Sequence, residues 1–361
     1  MVLSIIISAR NEFPQIVFTI QSIINDLETF LSPADWEVIV VSNCSDDEKT
    51  WRFVAERGLH YHRNVRFILD PIAGNVTSRN KGVAIARGEY VVFSDAHMSY
   101  PFGTFKRMLE TMKESGGIVH GTVQWLGGYH PSQPSVQYSL KIGEKLWGTW
   151  NNAIVKSDDW FYVPCSGHCF LGVNRQQFID FGGYNDYFRC YGGGELYLAL
   201  KWWMLGSSVV VDPRIMSYHL SAGRGYSYHQ DDLIHNMMLL GHSLKADALG
   251  ERVYIRYMDK AGVNRTHLDS LYEQAQKEAT ANRDFLATRS ATELYDVLID
   301  RPWDRLNDQR HGRHQSYLAI YQDTWLSSLG NVARQYYDNS KLQQELDRII
   351  RNDLSEFVYR G

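Results

Sequence analysis

A chain of 361 residues, 44% hydrophobic and 22% charged, has an ordinary globular composition and room for one large α/β domain plus an accessory piece. Its net charge of −4 excludes a surface built throughout to hold polyanions, though not a local basic groove. No apolar run is long enough to cross a bilayer, the opening VLSIIIS lacks the flanks of a signal peptide, and Cys44, Cys165, Cys169 and Cys190 form no disulfide framework, so a cytoplasmic protein without membrane insertion is expected.

Residues 2–8, VLSIIIS, predict a strand, and the polar loop Ala9-Arg10-Asn11-Glu12 follows. Residues 13–30 carry Ile16, Ile20, Ile23, Ile24 and Leu27 at helical spacing, with Pro14 suited to the first turn. WEVIVV, residues 36–41, is a second strand that runs into a turn-rich polar loop over 42–47. A short strand over 65–69, a helix over 75–86 closed by Arg87-Gly88, and the apolar run YVVF at 90–93 come next. This alternation predicts a parallel sheet with right-handed crossovers, whose usual ligand is a nucleotide. The chain has neither G-x-G-x-x-G after the first strand nor G-x-x-x-x-G-K-S/T anywhere, which removes the simple signals of dinucleotide dehydrogenases and P-loop enzymes.

The strand at 90–93 ends in Ser94-Asp95-Ala96-His97. Side chains two apart on an extended segment point the same way, so Asp95 and His97 can reach one ion at the carboxyl edge of the sheet. One carboxylate and one imidazole suit Mn²⁺ better than Mg²⁺. An isolated D-x-H is more often an ordinary turn, and it is the flanking segments that favour the ligand reading.

A helix over 105–112 stops at Gly116-Gly117, and 118–125 is a strand. Residues 127–159 are irregular, with a helix expected around 139–147; Trp147, Trp150 and Trp160 are candidates to stack on a sugar or to pack a long loop. Residues 208–211 predict a buried strand, with His219 after a short turn. SAGRGYSYHQDD, residues 221–232, sets Arg224 between glycines, and helices dominate from 233. The cluster Arg310-His311-Gly312-Arg313-His314 is either a solvated patch or a phosphate contact.

VLSIIISARNE, WEVIVVSNCSDD and TSRNKGVAIARGEYVVFSDAH, in that order over residues 1–100, resemble the nucleotide-binding half of family 2 glycosyltransferases of the GT-A fold. Residues 165–220, from CSGHCF to MSYHL, are similar to the acceptor-side half of the polypeptide N-acetylgalactosaminyltransferases, which have their own D-x-H. The resemblance implies an α/β GT-A fold: a mixed, mainly parallel sheet flanked by helices. The catalytic domain would span 1–232, divided into a nucleotide-binding half (1–100) and an acceptor side with closing loop (101–232), and 233–361 would be a helical extension without a lectin repeat.

The same resemblance implies roles for residues. Ala9, Arg10 and Glu12 with Ser42 and Asn43 would hold the uridine, and Arg79 would lie near the diphosphate. Asp95, His97 and His219 would bind the metal. Gly193, in the run Tyr191-Gly192-Gly193, and Tyr228, in the closing loop, would meet the nucleotide-sugar, while Glu195 and Arg224 would serve catalysis. Two departures stand out: the family's acidic residue is replaced by Ser42 or Asn43, and its glutamate after Gly-Gly aligns with Gly194, one place before Glu195.

The implied activity is metal-dependent transfer of a sugar from a UDP-sugar to a hydroxyl. Retention of configuration is favoured, because no Glu-Asp pair occupies the base position of inverting enzymes. A macromolecular acceptor is expected. Phage-type transferases acting on 5-hydroxymethyl-pyrimidines in DNA also look like this chain, which makes modified DNA the most specific alternative. A non-catalytic nucleotide- or carbohydrate-binding module is the rival of another class, and Asp95, His97 and His219 speak against it.

Overall fold

The computed structural model describes residues 1–46, 62–126, 135–142, 146–152, 159–220, 226–258, 264–289 and 291–312, with Lys49, Arg52 and Lys260. Segments rich in Ile and Val build the parallel centre: β1 (Leu3–Ala9), β2 (Trp36–Asn43), β3 (Val65–Asp70) and β4 (Tyr90–Asp95). β1 lies between β2 and β4, and β3 sits outside β2. Successive side chains of β1 go to opposite faces. Ile6 therefore joins one apolar cluster with Val41, Phe93 and Val211, while Ile5 and Ile7 join another with Val40 and Val92. Burial on both faces is why these strands read as continuous apolar runs.

Beyond β4 the sheet becomes mixed. β10 (Phe170–Asn174) runs antiparallel to β4 and to β6 (Ile118–Leu126), and β11 (Val209–Leu220) runs parallel to β6. The short β5 (Met98–Ser99) pairs antiparallel with the far end of β11, and β9 (Phe161–Tyr162) with its near end. Helices α1 (Gln15–Leu27), α2 (Asn75–Ile85) and α3 (Thr104–Ser115) cover the sheet, followed by α4 (Arg175–Asp180) and α5 (Gly194–Met204).

The described residues of the stretch around 139–147, where a helix is expected, are extended and not helical. Residues 139–142 belong to β7 (Ser135–Ile142) and 146–147 to β8 (Leu146–Asn152); the two strands pair antiparallel from Ser135↔Asn152 to Ile142↔Leu146, with a register shift between Gln137 and Ser139. Val136, Tyr138, Leu140 and Ile142 alternate with Gln137, Ser139 and Lys141, a period-two pattern that outweighs the helical reading. Trp147 and Trp150 lie on β8.

β11 contains an irregularity. Asp212 pairs with Gly121 and Met216 with the next residue, Thr122, so Pro213, Arg214 and Ile215 are looped out of the ladder. Proline is tolerated at such a place because no ladder donor is needed. Arg214 folds back on Asp212, and Ile215 is fully buried. Gly121 makes room: a Cβ there would stand 2.5 Å from the Ile215 carbonyl oxygen.

The C-terminal helices are α6 (Gln230–Ser243), α7 (Asp247–Met258), α8 (Arg265–Thr288), α9 (Leu294–Asp300) and α10 (Pro302–His311). Leu239, Leu249, Ala275, Leu298 and Trp303 share one apolar cluster with Val211 and α5. Trp160 is 2% exposed, with the Arg310 guanidinium 3.5 Å above its ring centre. Arg310 donates to Glu114 at 2.7 Å and Asp159 at 2.8 Å, and His311 lies 3.0 Å from the Trp160 carbonyl. Trp160 is thus a core residue and not a sugar platform, and Arg310 is a paired cation and not a free phosphate contact. Arg313 and His314 lie outside the described residues. Among the described residues no helix is long and apolar enough to cross a membrane.

Candidate metal centre and donor site

The carboxyl edge of the sheet gathers Asp95 from the end of β4, His97 just before β5 and His219 near the end of β11. The antiparallel pairing of β5 with β11 sets Met98 opposite His219, and the Leu220 N–H donates to the His97 carbonyl. Thr19 of α1 pins the turn between: its hydroxyl lies 2.9 Å from the Ala96 carbonyl and 2.8 Å from that of Met98, and accepts from the Met98 N–H. One ligand atom from each of Asp95, His97 and His219 lies within 4.8 Å of the others.

Each ligand is prepared by a neighbour. The His97 Nδ1 is 3.0 Å from the Glu12 carboxylate, which can only accept, so the proton sits on Nδ1 and Nε2 offers its lone pair. That Nε2 is 3.2 Å from Nε2 of His219. His219 packs against Trp125, ring centres 4.4 Å apart, and burial lowers its pKa and keeps it neutral. The Asp95 carboxylate accepts from Nη2 of the fully buried Arg79 at 3.0 Å and lies 3.7 Å from His219. Burial alone would raise the Asp95 pKa; the His219 contact and the charge on Arg79 overcome it and hold the carboxyl well below the usual range.

Around this centre lie the loops after β1 and β2. Asn11 and Asp46 bond reciprocally across them, and the Asn11 N–H donates to Ser45. Arg10 lies 5.0 Å over the Tyr226 ring and 3.5 Å from the Cys190 sulfur. Ser42 is buried, and the Asn43 side-chain oxygen is committed to the Gly74 N–H at 2.9 Å. Ala9 is buried in the core. Gly193 precedes α5 with φ of 82°, a conformation that favours glycine. Tyr228 stacks on Tyr191 with ring centres 4.6 Å apart. Arg224 lies outside the described residues.

Glu12, Arg79, Asp95, His97 and His219, named from the sequence, form one connected cluster. Arg79 is reached by solvent nowhere, so its direct effect is on Asp95. Glu195, at the start of α5, has its carboxylate 3.9 Å from Nδ1 of His168, whose Nε2 bonds the Tyr184 hydroxyl at 2.7 Å. Sequence reasoning missed His168, Tyr184 and Trp125. His168 stands in the Cys165-Ser-Gly-His168-Cys169 run, whose two thiols are buried and have raised pKa values. The signal for Trp125 was its place on β6, opposite His219.

Residues 4–173 match the model of glycosyl transferase family 2. A putative polypeptide N-acetylgalactosaminyltransferase 13 of Drosophila melanogaster is 24% identical over 308 residues, covering 76% of this chain and 52% of the relative. Polypeptide N-acetylgalactosaminyltransferase 3 of the same fly is 26% identical over 235 residues, covering 58% and 33%. The chain therefore spans about half the length of the first and a third of the second. Among solved structures, GalNAc-T7 with UDP, GalNAc and Mn²⁺ superposes with a TM-score of 0.63 at 14% identity, over 86% of this chain and 58% of that one. Staphylococcal (S. aureus) TarS 1–349 in complex with UDP-GlcNAc gives 0.50 at 14%, over 99% and 89%. The fold is that of GT-A proteins, as the sequence implied.

Proposed function

The family match and the relatives indicate a glycosyltransferase, and we propose that it is metal-dependent and moves a sugar from a UDP-sugar to a hydroxyl acceptor. The observation that carries this is the convergence of Asp95, His97 and His219 at the carboxyl edge of the sheet. The residues fit a Mn²⁺-like ion: an ionised carboxylate and two imidazoles, one with its proton fixed on the far nitrogen and one kept neutral by burial. GalNAc-T7 was solved with UDP and Mn²⁺, and TarS with UDP-GlcNAc, which supports the same pairing here.

When bound, such an ion supplies Lewis-acid stabilisation of the leaving diphosphate's charge. The chain's own part is to hold and orient. Arg79 keeps Asp95 ionised and placed, and Glu12 fixes the His97 ring. Arg10 and Glu12, with Ser42 and Asn43 at the end of β2, would flank the uridine, and Gly193 and Tyr228 would border the donor. Arg224 would add positive charge to the diphosphate from its glycine-flanked stretch. Glu195 would face the donor sugar. Retention is the favoured outcome; the anomeric configuration of the product, read by NMR, decides it.

The acceptor proposed is a macromolecular hydroxyl. The relatives are named for polypeptides, which supports a peptide. The pairing of Arg310 with Glu114 and Asp159 weakens the DNA alternative, which leaned on that cation. The test is twofold. UDP with Mn²⁺ should raise thermal stability, since a ligand bound only to the folded state must do so, and GDP should not match it. Labelled sugar from a panel of UDP-sugars is then offered to peptides and to DNA containing 5-hydroxymethylcytosine. Mn²⁺-dependent UDP-sugar hydrolysis separates an enzyme from a binding module; its absence, with binding intact, would favour the module.

A further inference from the structure

Beside the metal ligands stands a second group of polar side chains. His168 lies two residues before β10, next to Cys169, whose carbonyl accepts the Asp95 N–H at 2.9 Å. Its Nε2 bonds the hydroxyl of the buried Tyr184 at 2.7 Å, and its Nδ1 faces the Glu195 carboxylate at 3.9 Å. The imidazole is 13% exposed and the carboxylate 25%, so both reach solvent.

The tautomer follows from charge. Were the proton on Nε2, the Nδ1 lone pair would point at an anion. With the Tyr184 hydroxyl donating to Nε2, Nδ1 carries its proton toward the carboxylate. A gap of 3.9 Å is too long for a direct hydrogen bond between them. It is the base of a triangle whose apex, about 2.8 Å from each atom, would suit an oxygen that accepts from one and donates to the other. A hydroxyl does both, as does the water it would displace; a deprotonated phosphate oxygen or a carbonyl cannot.

Resting on the glycosyltransferase reading, we infer that His168 and Glu195 clamp one hydroxyl of the donor sugar, with Tyr184 as the positioning residue that sets the imidazole. This explains why a histidine is fixed beside the metal centre without being one of its ligands. It also assigns recognition of the sugar, as distinct from the nucleotide, to a pair outside the metal cluster. The ligand class is a nucleoside-diphosphate hexose with a free hydroxyl at the clamped position.

The test uses the full chain with Mn²⁺ and measures dissociation constants for UDP and for UDP-glucose, UDP-galactose and their N-acetylamino counterparts. The tightest of these is then compared with its monodeoxy analogues. His168→Gln keeps a group at the Nε2 position for Tyr184 but removes the Nδ1 donor; His168→Asn does the reverse. His168→Gln should weaken the UDP-sugar about tenfold, the loss of one hydrogen bond, and leave UDP unchanged. His168→Asn should recover part of that loss. One monodeoxy analogue should bind wild type about tenfold more weakly than the parent sugar, with no further penalty in His168→Gln. Tyr184→Phe should fall between. Equal weakening of UDP and UDP-sugar, or wild-type UDP-sugar binding in His168→Gln, would overturn the clamp while sparing the glycosyltransferase reading. A wild type that binds neither UDP nor any UDP-sugar would overturn both.

Discussion

Asp95→Ala removes a proposed metal ligand and also strands a buried cation. Arg79 is 0% exposed and Asp95 24%, and the pair is joined at 3.0 Å. Removing one partner of a buried pair costs about 3–5 kcal/mol; the part-exposed Asp95 and its pocket put this case at the low end, about 3 kcal/mol. In a chain of this size that lowers the melting temperature by about 4 °C. Asp95→Asn separates the two roles, because its amide oxygen still accepts from Arg79 while the ligating charge is gone. It should cost under about 1 kcal/mol yet lose the Mn²⁺-dependent stabilisation by UDP just as fully. The sign with pH is fixed by the depressed Asp95 pKa: the stability from this carboxylate is present above the unfolded value near about 3.9 and is lost as pH falls through the lower folded one, so melts at pH 7 report it in full. Thermal melts in EDTA, then with Mn²⁺ and UDP, give both readouts. An Asp95→Ala variant melting with wild type in EDTA would refute the stranded-cation argument. A UDP–Mn²⁺ shift that survives in Asp95→Asn would refute the metal assignment.

Other variants test neighbouring statements. Glu12→Gln leaves the His97 ring less firmly fixed and should weaken Mn²⁺ about 10- to 100-fold by calorimetry, with little change in the apo melt. Arg310→Ala should cost about 1 kcal/mol in urea, through Trp160 and two part-exposed carboxylates, and leave any salt dependence of DNA binding unchanged; a flatter salt slope would restore the phosphate role. Burial pushes the His120 pKa down to about 3, so the unfolded chain takes up this proton first as pH falls below about 6.5. Stability from this group should drop by up to about 2 kcal/mol between pH 6.5 and 5, and His120→Leu should remove that slope in urea titrations. Arg224→Ala should lower turnover more than UDP affinity; wild-type turnover would return that stretch to an ordinary loop.

The parallel half of the sheet was legible because β1, β2 and β4 are buried on both faces, and their composition says so without any tertiary knowledge. Asp95 and His97 were legible as a pair through the two-residue period of an extended chain. His219 was legible only by resemblance: it lies 122 residues from His97, and β5, whose pairing joins them, is two residues long, too short to carry a periodic signal. Trp160 and Arg310 stayed open between two readings, because an aromatic in an irregular stretch and a cation in a cluster show no partner until a distant segment is brought against them. The alternation of β7 was lost among the glycine, proline, serine and tryptophan residues that make 127–159 look irregular. His168 was overlooked because nothing beside it in the sequence marks it: its partners Tyr184 and Glu195 come from later turns of the chain.

The looped-out Pro213, Arg214 and Ile215 give β11 a kind of slack. Upstream, Val209–Asp212 is locked into the core; downstream, the same strand delivers His219 to the metal ligands. In an uninterrupted strand, one inserted residue would turn every later side chain to the other face. Here a change of length can be taken up between the two halves, so an added residue after Arg214 should leave His219 facing His97, while one added after Ser217 should turn it away. The end of the strand that carries His219 can then change without the sheet's interior having to be rebuilt around it.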